Sequence, residues 1–109
     1  MTEMVLKEQT QQWLADPILG QDDIDAKVRR LLEAEYLRKL GQYERAYQSL
    51  AQKYGVSFEE FVDQNLVAQH GYSWEVEQDA MQWETAAGGI MTLQRRLREI
   101  RGDASDAPR

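Results

Sequence analysis

Three acids stand two residues apart, Glu75, Glu77 and Asp79, and carboxylates are the only catalytic resource this chain offers. On a helix, Glu75 and Asp79 are four apart and share a face. Helical Mg²⁺-dependent nucleotide pyrophosphatases use paired Glu-x-x-Glu or Glu-x-x-Asp motifs, which likewise put two ligands on one face. That chemistry needs a second acidic pair on a facing helix. Glu33 and Glu35 lie on different faces of their helix, and Asp23 and Asp25 are likewise only two apart. A metal-dependent nucleotide hydrolase is therefore the third reading, behind two non-enzymatic ones. The single His, His70, sits beside Gly71 in a turn and has no second His for a metal site. Ser57 and Ser73 read as helix caps, and no Gly-x-Ser-x-Gly or Gly-rich phosphate loop is present. With no Cys, disulfides, thiolate metal sites and a Cys nucleophile are excluded. No catalytic residue, metal ligand or cofactor is assigned.

The distribution of charge is more informative. From Tyr54 to Gln94 there is no Lys or Arg. The same stretch carries Glu59, Glu60, Asp63, Glu75, Glu77, Asp79 and Glu84, with Tyr54, Phe58, Phe61, Tyr72, Trp74 and Trp83 among them. Carboxylates steer a basic protein and aromatic rings supply desolvated anchors. The candidate partner-binding residues are Phe58, Glu59, Asp63, Tyr72, Trp74, Glu75, Glu77, Asp79 and Glu84. Phe61 and Trp83 fit a core better. The net charge of −6 argues against nucleic acid. Arg95, Arg96, Arg98 and Arg101 have Glu99 among them and complement the negative end of a helix.

Helices must position these groups. The 109 residues contain only two Pro and no convincing strand pattern. Residues 3–15 read as a short helix and 16–21 as a linker around Pro17 and Gly20. A long helix starts after Asp22 or Asp23, with Ile24, Val28 and Leu31 on one face. Tyr36, Leu40, Tyr43, Tyr47, Leu50 and Tyr54 then repeat at heptad spacing, interrupted by no Pro and only by Gly41. Gly55 suits the left-handed position after a helix. Ser57-Phe58-Glu59-Glu60 is a capping box, with Val56 and Phe61 as its hydrophobic staple. It predicts a helix over 58–68, closed by His70-Gly71. The last helix starts at Ser73 and carries a seam of Val76, Trp83, Ala86, Ile90, Leu93, Leu97 and Ile100, with Asp79 where an apolar residue is missing. Gly88-Gly89 in its middle calls for a close crossing or a kink. Residues 102–109 read as a disordered tail.

The expected fold is all-α: a long hairpin of helices 23–54 and 73–101 with a short helix at the bend, in a dimeric bundle. Its domains are 1–21, 22–101 and 102–109. Tyr36, Leu40, Tyr43, Tyr47, Leu50, Trp83, Ile90, Leu93 and Leu97 form the core or dimer seam. No run of about 18 apolar residues crosses a membrane, and the acidic start Met1-Thr2-Glu3-Met4 is no signal peptide. The expected location is the cytoplasm.

The stretch from Lys53-Tyr54-Gly55-Val56-Ser57-Phe58-Glu59-Glu60-Phe61 to Gly71-Tyr72-Ser73-Trp74-Glu75-Val76-Glu77-Gln78-Asp79-Ala80-Met81-Gln82-Trp83-Glu84 resembles the TumA-like antitoxins, small prokaryotic proteins encoded beside TumE-type toxins. The resemblance covers residues 53–100. It implies a non-enzymatic protein that neutralises a basic toxin by direct contact. No helix-turn-helix or DNA-binding ribbon is legible in the N-terminal half. The alternative is a homo-oligomeric helical adaptor.

Overall fold

The computed structural model describes residues 5–104. Among them every regular element is helical and no strand occurs. The order is α1 (Glu8–Leu14), a 3-10 turn (Pro17–Leu19), α2 (Ile24–Tyr54), α3 (Phe58–Asp63), α4 (Leu66–Gln69) and α5 (Trp74–Ala104). The chain divides into two compact units, Met1–Ala34 and Glu35–Arg109, with the division inside α2.

In the first unit α1 starts at Glu8, with residues 5–7 ahead of it non-helical; residues 3 and 4 of the expected 3–15 helix lie outside the described residues. Lys7 stands at the N-cap in extended conformation, and its side chain cannot accept from the free N–H groups of the first turn. The expected linker contains an ordered turn, because Asp16 accepts from the Ile18 N–H at 3.0 Å and Pro17 presets the backbone. Asp23 caps α2, accepting from the Ala26 N–H at 2.8 Å. Asp22 pairs with Arg30, which also donates to the Leu19 carbonyl. Lys27 is buried and donates to the Leu14 carbonyl at 2.7 Å, a group that the end of α1 leaves without an intrahelical donor. The expected apolar face of Ile24, Val28 and Leu31 is covered only in part: Val28 is half-buried, while Ile24 and Leu31 are exposed. One seven-residue helix and a three-residue turn offer too little surface to cover it.

The second unit is built on the two seams. Leu50 is buried, and Tyr36, Leu40, Tyr43, Tyr47 and Tyr54 are half-buried. On α5, Val76, Trp83, Ala86 and Leu97 are buried, and Ile90, Leu93 and Ile100 are half-buried. Tyr43 meets Gly89, Tyr47 meets Trp83 and Tyr54 meets Asp79, so contacts run in opposite order along the two helices. A Cβ at Gly89 would lie 2.6 Å from two carbons of the Tyr43 ring. The glycine is therefore a close-approach site. Leu50, Phe61, Val76 and Trp83 form the core, and Trp83 is fully buried at 0% exposure. Tyr54 stacks on it at 5.9 Å, Tyr47 meets it edge-on at 5.8 Å, and Phe58 and Phe61 tilt against it at 5.4 and 5.1 Å.

Local signals set the ends of these helices. Gly55 has φ +70° and its N–H returns to the Ala51 carbonyl at 2.8 Å, ending α2 in the left-handed motif. The capping box is complete, with Glu60 N–H to Ser57 Oγ and Ser57 N–H to Glu60 Oε1 both at 3.1 Å. Ser57→Ala is expected to cost about 1 kcal/mol, read as a lower midpoint in thermal melting with helicity retained. The expected single helix over 58–68 is instead two, α3 and α4. Asn65 separates them at φ +54°, a conformation its short polar side chain tolerates. The expected tail is also shorter, since α5 continues through Gly102 to Ala104; an exposed glycine costs a helix only about 1 kcal/mol. Residues 105–109 of that tail lie outside the described residues.

Candidate functional site

The turn from α4 into α5 holds two exposed rings in a fixed frame. Gly71, at φ +68°, donates to the Ala68 carbonyl and Tyr72 to the Val67 carbonyl, both at 2.9 Å. This is the paired bonding of a Schellman motif. Tyr72 itself has φ +55°, a strained value for a bulky side chain. Ser73 then caps α5, accepting from the Val76 N–H at 3.3 Å. Within two residues of that cap Tyr72 is 62% exposed and Trp74 72% exposed. Strain retained beside exposed aromatics is an observed outlier of the kind that marks functional surfaces.

The nearby acids divide into two groups. Lys53, at the end of α2, donates to Glu75 Oε2 at 2.7 Å and to Asp79 Oδ2 at 2.6 Å. The Tyr54 hydroxyl donates to the same Asp79 oxygen at 2.6 Å. Asp79 therefore belongs to the contact between α2 and α5, in the seam, where a carboxylate replaces an apolar residue because Lys53 and Tyr54 satisfy it. By contrast, Glu59 and Asp63 on α3 and Glu77 and Glu84 on α5 are exposed and, among the described residues, have no ion-pair partner. Phe58 packs on Trp83. Of the nine sequence-derived candidates, Tyr72, Trp74, Glu77 and Glu84 are thus free and grouped on the first three turns of α5 and the turn before it. Glu75, Asp79 and Phe58 are held by contacts within the chain.

The Lys53–Asp79–Tyr54 cluster makes stability depend on pH at both ends. The Lys53 ammonium, and after it the Tyr54 hydroxyl, hold the Asp79 carboxyl below its ordinary range. Its contribution is present above the unfolded value and is lost as pH falls below about 4. Burial, and then the bond to Asp79, push the Tyr54 phenol up to about 12. Asp79, followed by Glu75, raises Lys53. These two contributions are complete below about 10 and fade as pH rises beyond it. Melting midpoints are expected to fall on both sides of this window. Asp79→Asn should flatten the acid limb and Tyr54→Phe part of the alkaline one. Unchanged limbs in both variants would exclude the cluster as their source.

The chain matches no protein-family model, no curated protein and no solved structure.

Two grooves flank α5. One, of about 560 Å³, is lined by Tyr36, Lys39 and Tyr43 of α2 and by Thr85, Gly88 and Thr92 of α5. The other, of about 210 Å³, lies against Phe61, Val62, Leu66 and Met81. Among the described residues no group of three His, Cys, Asp or Glu side chains is placed to hold a metal ion, and no helix is long and apolar enough to cross a membrane. Sequence reading missed the role of Lys53, which marked only the edge of the base-free stretch. The signal was the acid in an apolar seam, which requires a donor from the facing helix.

Proposed function

We propose that this chain is a non-enzymatic, cytoplasmic interaction protein of antitoxin type. It neutralises a basic protein by docking it on Tyr72, Trp74, Glu77 and Glu84, with Glu59 and Asp63 extending the negative field. The architecture in this reading is a helical hairpin whose bend presents the docking surface. The observation that carries it is the pair of exposed rings at the start of α5, held by a Schellman turn and a serine cap beside acids free of ion pairs. Trp is the residue type most enriched among interface anchors. The unpaired carboxylates favour a basic partner through steering and selectivity.

The test couples binding to rescue. Products of genes neighbouring this one in its source genome are expressed with and without the chain, and growth is scored. Wild type should restore growth against a small basic product. Trp74→Ala should fail to do so at equal abundance and helicity, with binding weaker by about 30-fold if the ring is worth about 2 kcal/mol. Glu77→Arg with Glu84→Arg should slow association, with a deficit that shrinks as salt rises. Rescue by folded Trp74→Ala at the wild-type level would remove this surface from the function.

A further inference from the structure

Beside its buried seam, α5 carries a second heptad stripe on an exposed face. Trp74, Glu77, Met81, Glu84, Gly88, Met91, Arg95 and Arg98 follow one another at spacings of 3, 4, 3, 4, 3, 4 and 3. All eight are exposed, Met81 and Met91 at 64% and 70%. Among the described residues neither Glu77 nor Arg95 has an ion-pair partner. A Cβ at Gly88 would meet nothing within 4 Å. The first half of the stripe is acidic and the second half basic.

We propose that this stripe binds the same stripe of a second copy of the chain, antiparallel and about a two-fold axis. The register follows from the chemistry. Setting Met81 against Met91 of the second copy places Glu77 against its Arg95, Glu84 against its Gly88 and Trp74 against its Arg98. Each layer then joins the first position of one heptad seam with the fourth of the other, the layer geometry of antiparallel helices. A two-fold interface is self-complementary, so each pairing occurs twice. Two Glu–Arg pairs form, two Met–Met layers bury the exposed Met81 and Met91 of each copy, and two guanidinium groups stand over indole faces. Gly88 leaves room for the opposing Glu84 stem. The paired segment 74–98 is about 36 Å long at ~1.5 Å per residue. A parallel pairing would instead set acid against acid and base against base. Self-pairing of the stripe requires no other partner. Where a basic protein docks on Trp74 and Glu77, it displaces Arg98 and Arg95 of the second copy.

Sedimentation equilibrium of the full chain tests this. Wild type should approach twice its 12.7 kDa mass at micromolar concentration. Glu77→Arg and Arg95→Glu should each weaken dimerisation by at least about tenfold, since each replaces two attractive pairs with two repulsive ones. Both sites are exposed, so circular dichroism should be unchanged. Mixing the two variants should restore a dimer, because the heterodimer regains both opposite-charge pairs. A wild type monomeric up to about 100 µM, a weak regime for a specific interface, would overturn the proposal. So would a mixture that associates no better than either variant alone.

Discussion

Trp83→Ala is expected to remove about 3–5 kcal/mol of stability, the cost of deleting a buried aromatic side chain. Trp83 is fully buried among Tyr47, Tyr54, Phe58 and Phe61, whose rings come from α2 and α3. Such a loss is a large fraction of the stability of a small domain, about 5–15 kcal/mol. The variant should unfold at a markedly lower urea concentration than the wild type. Trp83→Phe should cost far less. It keeps most of the packing and removes an indole N–H that is buried without an acceptor. Urea denaturation separates the two. Equal destabilisation by Ala and Phe would contradict the assignment of this energy to ring packing.

Adjacent glycines in α5 should respond to substitution with opposite sign. At Gly89 any Cβ overlaps the Tyr43 ring, so Gly89→Leu should force α2 and α5 apart and cost about 1–3 kcal/mol or more. At Gly88 the space is open, and Gly88→Ala should gain up to about 1 kcal/mol from helix propensity alone. Thermal melts of dilute protein read both. A gain at Gly89 of the same size as at Gly88 would show that the close approach to Tyr43 is not maintained in solution.

Those elements were most legible in the sequence where a single local rule decided them. The capping box at Ser57 and Glu60, the left-handed Gly55 and the heptad tyrosines of α2 each have a short-range cause, and each is present in the fold. The Gly88-Gly89 step announced that something was close, but only the fold identifies the Tyr43 ring. The break at Asn65 was not legible, because a four-residue helix has too few positions to show a period. The role of Asp79 was hidden for a different reason. Its donors, Lys53 and Tyr54, are 26 and 25 residues away, and no spacing rule within one helix links them. The candidate surface was half legible. Composition marked the base-free, aromatic-rich stretch, but only burial separates Trp74 and Tyr72, which face solvent, from Phe58, which packs on Trp83. The outer stripe of α5 escaped because glycine and charged residues occupy positions where an apolar pattern is sought.

The most direct measurement is affinity capture from the native host, comparing wild type with a Tyr72→Ala, Trp74→Ala double variant of equal helicity. Recovered proteins are identified by mass spectrometry, and their affinity for the purified chain is then measured. Wild type should recover a small basic protein that binds directly, and the double variant should lose it. Recovery of the same protein by both variants, or direct binding of no basic protein to the wild type, would contradict the assignment of the exposed rings of α5 to partner docking.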